Sequence, residues 1–326
     1  MDKENNVNPM NNLSDELTLS ILIKKWAIEL GFDLVGFAKA DTPINYSHYI
    51  NSIENSYHAE MEFLSSSIEL KKSPTKIMPE CKSVICLAIF YNPPVPEDYS
   101  GINSDYAYIS RYALGMDYHL VLNKLCKKLI AKIKNEIDAN IITMHYVDTG
   151  PIIEKSFSSM AGLGWIGKNT LIINDKYGSY MFLSEILINL ELEYDKPSRP
   201  KCGNCRICID SCPTKALIEP YILNSQLCIS YHTNENRGNV PNNIKSKLKT
   251  KIYGCDICQE VCPYNNKLST TSHKEFFPKS GIIRKNVSDW LSISELEFKD
   301  LFRDSPLKRL KYIGFSRNIN NVMQTI

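Results

Sequence analysis

The sequence predicts an α/β (α+β) layered domain at the front of the chain, a compact cysteine-bearing domain behind it, and a short helical tail. Three observations carry this. Helix-like and strand-like hydrophobic patterns alternate over the first 190 residues. A proline-rich break, "YDKPSRPKC", occupies 194–202. Eight of the eleven cysteines then fall between 202 and 262. The expected domains are 1–195, 196–265 and 266–326.

Taken in order, residues 14–30 read as a helix, with Ser14 as its cap and Gly31 as its stop. "DLVGFAKA" follows as a strand. "SVICLAIF", 83–90, is a continuous apolar run, as in a strand covered on both faces. In 117–138, Val121, Leu125, Leu129, Ile133 and Ile137 recur every four residues with lysines between them, which makes an amphipathic helix. "IITMHYVD", 141–148, reads as a strand, whereas "MFLSEILINLEL", 181–192, fits strand or helix. Cys81, Cys86 and Cys126 lie inside these apolar patterns and read as buried small hydrophobes. The tail carries Lys308, Arg309, Lys311 and Arg317 in a basic, amphipathic stretch.

The chain has 326 residues, 43% hydrophobic and 23% charged, with a net charge of +2. That balance suits a globular protein and says little about partners. No apolar run approaches the roughly 18 residues that span a bilayer, and the polar start has no secretion-signal pattern. A cytoplasmic location without membrane contact is the expectation. In a reducing compartment clustered cysteines favour metal or redox chemistry over disulfides.

"CGNCRICIDSCP" places Cys202, Cys205, Cys208 and Cys212 at C-x2-C-x2-C-x3-C spacing, followed by Pro213. Short C-x2-C steps let thiolates converge on one iron–sulfide cube, and the fourth cysteine ligates the other cube in two-cluster ferredoxins. "YGCDICQEVCP" keeps only the back of the same run, Cys255, Cys258 and Cys262, with Ile252 where the first cysteine belongs. The crossing rule gives one [4Fe–4S] cluster to Cys202, Cys205, Cys208 and Cys262. The other takes Cys212, Cys255 and Cys258, and Cys228 is the one cysteine of the segment left to complete it. A four-cysteine zinc site is the competing reading; the doubled C-x3-C-P ending argues against it.

Two clusters make an electron wire, and the front domain is large enough to hold its acceptor. "ISRYALGMDYH", 109–119, sets Arg111, Tyr112, Asp117, Tyr118 and His119 around a glycine turn. "YVDTGPIIEKSFSSMAGLGWIGKN", 146–169, puts Asp148 at a strand end ahead of a glycine-rich turn. From the residues alone, Asp148 reads equally as a helix cap before Pro151 or as an acid facing a ligand beyond a strand end.

Taken together, "RYALGMDYH", "VDTGP", "AGLGWIGKNTLI", "CGNCRICIDSCPTKAL", "CISY" and "YGCDICQEVCP" make the sequence resemble the epoxyqueuosine reductase family. The resemblance runs from about residue 15 to 320. It implies a cobalamin-binding front domain, two [4Fe–4S] clusters and reduction of the epoxide of epoxyqueuosine in tRNA. It assigns Asp148 as proton donor and repeats both cysteine sets. It places Arg111, Lys168, Asn169 and Lys71 in motifs that line the cobalamin, with Asp148 beside it. Lys71 and Met116 stand where relatives carry arginine; at Lys71 the charge is kept without the two-pronged geometry. A proton donor at neutral pH implies a raised Asp148 pKa in a dry pocket.

The implied partners are the anticodon stem-loop of tRNA and an external low-potential electron donor, with the protein a monomer. Lys245, Lys247, Lys249 and Lys251 alternate before the second cysteine run and, with the 308–317 cluster, read as a phosphate-tracking surface. His119 and His232 read as surface or supporting histidines. Some family members continue into helical repeats after the equivalent of "GFSRN", and no tRNA grip from such repeats is expected here. Two other readings use the same clusters: a reductive dehalogenase acting on a small organic halide, and a non-enzymatic electron-transfer protein.

Overall fold

The computed structural model describes residues 15–102 and 105–325. Helix α1 (Glu16–Leu30) is closed by Gly31, whose φ of 109° lets its N–H turn back to the Ile28 carbonyl. Its N-cap is Asp15, and Ser14 lies outside the described residues. Strands β1 (Leu34–Lys39) and β2 (Ser83–Phe90) follow. Helix α2 (Tyr118–Glu136) begins at Asp117, whose carboxylate accepts the His119 N–H at 3.0 Å. Strand β3 (Thr143–Tyr146), helix α3 (Glu154–Met160) and strand β4 (Met181–Ile188) complete the front layer.

The sheet order is β1-β2-β4-β3, and every pair is antiparallel. The architecture is therefore α+β, and the segment at 181–188 is a strand. A run of buried residues reports cover on both faces and leaves strand direction open. In β2, Ile85, Leu87 and Ile89 pack with α1 and α2, while Val84, Cys86 and Ala88 pack with α3. The period-two split of one eight-residue strand thus serves two cores. Gly36 on β1 faces the Ala161 carbonyl so closely that a Cβ would collide with it. The buried stripe of α2 is Leu122, Cys126, Leu129 and Ile133. Val121, Leu125 and Ile137 sit at its margins, one step around the helix from the expected centre. Cys81, Cys86 and Cys126 are buried, as their apolar surroundings predicted.

A second core joins what the chain order separates. Tyr108, Ile109, Ala113 and Leu114 pack with Ile252, Tyr253, Trp290, Phe302 and Phe315. Tyr108–Ile109 pairs in parallel with Lys251–Tyr253, and the tail helix Lys311–Met323 closes this body. Among the described residues no helix is long and apolar enough to cross a membrane.

Candidate redox site

The eight clustered cysteines close on two cavities. Cys212, Cys228, Cys255 and Cys258 line one of about 220 Å³. Cys202, Cys205, Cys208 and Cys262 line one of about 50 Å³. Local backbone geometry produces this. Each C-x2-C-x3-C run wraps a single helical turn, Ile207–Asp210 in the first and Ile257–Glu260 in the second. The turn aims two thiols one way and carries the last cysteine to the opposite side. Cys228 caps the short helix Ile229–Asn234. Burial raises the Cys255 thiol to about 12 and pushes Cys258 well above the ordinary thiol value. Such thiols ionise only when a metal takes them as thiolates.

A third cavity, of about 650 Å³, lies between residues 44–64, helix α3 with the 165–170 turn, and residues 197–225. Tyr49, His58, Ser156, Trp165 and Tyr221 are among its lining residues. His58 Nδ1 and Trp165 Nε1 are buried without hydrogen-bond partners.

Three consecutive residues connect these cavities. Lys168 lines the Cys202 cavity, Asn169 lines both cysteine cavities, and Thr170 lines the Cys212 cavity and the large one. Lys168 Nζ donates to the carbonyls of Gly203 (2.6 Å) and Cys205 (2.9 Å). Asn169 Nδ2 donates to the Cys258 carbonyl at 3.2 Å. The glycine-rich turn thus grips both cysteine loops through Lys168 and Asn169 while its Trp165, Ile166 and Thr170 line the large cavity. Lys155 Nζ ties helix α3 to the same turn through the Thr170 carbonyl (2.8 Å).

Arg111 and Lys71 are also committed to protein groups. The Arg111 guanidinium donates to the Tyr99 carbonyl (3.0 Å) and stands 3.9 Å from Glu260, behind the Cys255–Cys258 turn. Lys71 is buried, and its ammonium donates to the carbonyls of Phe63 and Leu64. It braces Tyr49 and Leu64, which line the large cavity.

Asp148 sits beyond β3 with a φ of 62°, a conformation that non-glycine residues rarely hold. Its N–H donates to Glu154 Oε1 at 2.5 Å, so the first residue of α3 pins the acid's main chain. Its half-exposed carboxylate stands 3.5 Å from His119 Nε2 and 3.9 Å from Arg309. His119 Nδ1 lies 2.7 Å from Asp117. Burial works against the His119 charge, but Asp117 and Asp148 outweigh it and raise His119 to about 9. Burial pushes Asp148 up, yet His119, Tyr118 and Arg309 together hold its carboxyl below the usual range. The expected raised pKa is therefore not found, because an imidazolium and a guanidinium face the acid. Burial raises two other carboxyls, Glu154 and Glu185; the charge of Asp148 adds to the first and Glu154 adds to the second.

Sequence reasoning passed over Glu154, Glu185 and Arg309 as members of this group. A lone acid within the apolar run "MFLSEILI" was the available signal for Glu185. The expected basic surface divides as well. Lys251 is buried, Lys249 donates to the Ile102 carbonyl, and Arg317 binds the carbonyls of His232, Asn236 and Gly238. Lys308 and Lys311 remain exposed. His232 is buried between the Gln226 carbonyl and Asn236.

Residues 201–265 match the family model for a 4Fe-4S double cluster binding domain. The α+β layer and this segment define a two-cluster iron–sulfur redox protein. Residues 71–149 match the model "Epoxyqueuosine reductase QueG, DUF1730". An epoxyqueuosine reductase of Leadbetterella byssophila is 39% identical over 298 residues, 91% of this chain and 96% of that protein. The chain belongs to the epoxyqueuosine reductase family. A crystal structure of epoxyqueuosine reductase with an epoxyqueuosine-modified tRNA-Tyr stem loop superposes with a TM-score of 0.87 at 31% identity. That match covers 94% of this chain and 81% of the other. The Bacillus subtilis enzyme, with its catalytic Asp loop swung out of the active site, gives 0.85 at 29% identity, covering 94% and 81%.

Proposed function

We propose that this protein reduces the epoxide of epoxyqueuosine in tRNA to the alkene of queuosine. The observation that carries the reading is the unbroken series of cavities. Cys202, Cys205, Cys208 and Cys262 would hold an outer [4Fe–4S] cluster, and Cys212, Cys228, Cys255 and Cys258 an inner one. Thr170 and Leu223 border both the inner cluster cavity and the large cavity. The clusters supply single low-potential electrons, taken from an external donor.

The large cavity is in the size range of ligand sites, and its two unpartnered buried ring nitrogens suit a ligand rich in amide side chains, as cobalamin is. Tyr49, His58, Trp165 and Tyr221 would hold it. When bound, cobalamin supplies the low-potential metal chemistry that side chains lack. The chain's own residues do the rest. Helix α3 and its N-cap lend Lys155, Ser156 and Ile153 to the cavity wall, while Glu154 fixes the Asp148 main chain. Asp148 gives a proton to the departing oxygen, and His119 and Arg309 hold its carboxylate in place. Arg309, Lys308 and Lys311 would meet RNA phosphates around an extruded base.

Anaerobic reconstitution with iron, sulfide and cobalamin, followed by incubation with an epoxyqueuosine-containing stem-loop, tests this. Queuosine should form with electrons from a low-potential reductant. A fully loaded protein that leaves the epoxide intact overturns the reading.

A further inference from the structure

The series of cavities has an outer end. The inner cysteine cavity shares Thr170 and Leu223 with the large cavity, whereas the outer one, on Cys202, Cys205, Cys208 and Cys262, shares no described lining residue with it. The loop over that outer end stands at the surface. Gly203, Asn204, Arg206 and Ile207 are exposed, and Cys202, Cys205 and Cys208 are partly so. Ile207, between two of these cysteines, leaves 46% of its surface in water. Ile209, about 200° further round the same helical turn, takes the buried side.

Positive charge surrounds this apolar point. From 196 to 215 the chain carries Lys196, Arg199, Lys201, Arg206 and Lys215 against one acid, Asp210, and all five cations are exposed. Lys247 and Lys249, also exposed, extend the field. With Lys251 they line a hollow of about 210 Å³ against Ser211 and Pro213 of the first cysteine run and Ile257 and Val261 of the second. Ser211 and Val261 directly precede Cys212 and Cys262, so the hollow lies at the seam between the two runs. No acid is among the described residues that line it. An apolar centre within a charged rim is the pattern of a protein-docking surface.

We propose that this face, centred on Ile207 and rimmed by Arg199, Arg206, Lys215, Lys247 and Lys249, docks the electron donor, and that the donor is a small acidic protein carrying single low-potential electrons. The inference rests on the proposed function, in which an external donor feeds the clusters, and adds the donor's class and its place. Acidic groups around the donor's own redox centre would steer it onto the basic rim. Ile207 would exclude water between the two centres. Each encounter moves one electron: the carrier is oxidised, the cluster on Cys202, Cys205, Cys208 and Cys262 is reduced, and no bond forms or breaks. RNA is the other polyanion that a basic face can meet. Two observations favour the protein carrier. Phosphate contact gives the exposed Ile207 no role, and the acid proposed to meet the substrate, Asp148, lies beyond β3 against Arg309 of the turn Pro306–Leu310, away from the cysteine runs in sequence.

The test uses the full-length protein with both clusters reconstituted and, as probe, an acidic plant-type [2Fe–2S] ferredoxin. Stopped-flow absorbance follows cluster reduction by the reduced ferredoxin without RNA or cobalamin, and calorimetry follows binding of the oxidised form. The wild-type rate should fall steeply as salt rises. K215E and K247E combined should slow reduction at least tenfold at low salt, flatten its salt dependence and weaken binding at least tenfold. I207S should weaken binding and keep the wild-type salt slope. Dithionite should reduce all these proteins equally, with iron at about eight per chain, which separates lost docking from a damaged cluster. A wild-type rate indifferent to salt overturns the proposal, as does a K215E/K247E protein that matches wild type in rate and binding. Reversals that weaken the modified stem-loop but spare ferredoxin also overturn it and give the face to RNA. Failure of the functional reading is seen separately, as an epoxide left intact by fully loaded, chemically reduced enzyme.

Discussion

The ammonium of Lys168 donates to the carbonyl of Cys205 at 2.9 Å and to that of Gly203 at 2.6 Å, so a residue of the front domain holds the first cysteine loop. Charge-assisted bonds of this kind contribute about 1.5–3 kcal/mol each when shielded, and less at a half-exposed lysine. Lys168→Ala should therefore loosen the Cys202–Cys205 loop and leave the Cys255–Cys258 loop intact. Iron in anaerobically reconstituted protein should fall from about eight per chain towards four on exposure to a chelator. Loss of both clusters together would mean that the lysine supports the whole body instead of one loop.

Cys228 is the cysteine outside either run, and it borders the same cavity as Cys212, Cys255 and Cys258. Cys228→Ser should destabilise the inner cluster alone. Cys126→Ala, deep between α2 and the sheet, should leave iron content unchanged. An iron count near eight in Cys228→Ser would remove that residue from the ligand set.

Asp148→Asn keeps the size of the side chain and the main-chain bond to Glu154. It should retain iron and bind the stem-loop as tightly as the wild type, while single-turnover conversion falls about 100-fold or more. Removing one negative partner should also lower the His119 pKa, visible in imidazole NMR shifts. Conversion within a few fold of wild type would exclude Asp148 as proton donor.

His119 sets a pH limit on stability. Its pKa is raised from 6.5 to about 9 by Asp117 and Asp148, against the opposing effect of burial. A raised folded-state value means the folded chain holds the proton more tightly than the unfolded one. The stabilisation is complete below about 6.5 and disappears as pH rises through about 9. Asp148, held low by the same contact, loses its share only in acid. Tm should therefore fall across the alkaline window, and His119→Gln should flatten that part of the profile. An unchanged slope in the variant would assign the window to other groups.

The cysteine wiring was legible because C-x2-C steps fix where neighbouring thiols point, whatever surrounds them. Cys228 followed by elimination. The roles of Lys168 and Asn169 were not legible, since their partners lie 37 and 89 residues away and are main-chain carbonyls without a sequence signature. Strand direction was hidden because β2 is covered on both faces, which removes the polar–apolar alternation that marks an antiparallel sheet. Glu185 was hidden for a related reason: one acid in an apolar run shows nothing of what the covering helix α3 brings over it. The Asp148 titration depended on His119 and Arg309, 29 residues before it and 161 after. Composition around "VDTGP" does not foretell two cations meeting there.

Arg317 gives the sharpest contrast between charge pattern and role. In the sequence it belongs to a basic cluster suited to RNA. In the fold its guanidinium binds the carbonyls of Asn236 (2.7 Å), Gly238 (2.8 Å) and His232 (3.2 Å), and the side-chain oxygen of Asn318. The His232 carbonyl lies in the helix Ile229–Asn234, which Cys228 caps, and the other two lie just past its end, so the tail helix secures the inner cysteine loop from behind. Arg317→Met should lower Tm by several degrees and speed loss of the inner cluster. The folded variant should bind the stem-loop with unchanged affinity and an unchanged slope of log K against log salt, since no phosphate contact is removed. Lys308→Met, on the exposed turn before the helix, should do the reverse: leave Tm in place and reduce the salt slope by about one contact. A reduced slope in Arg317→Met, measured on protein with full iron content, would restore that arginine to the RNA-binding surface.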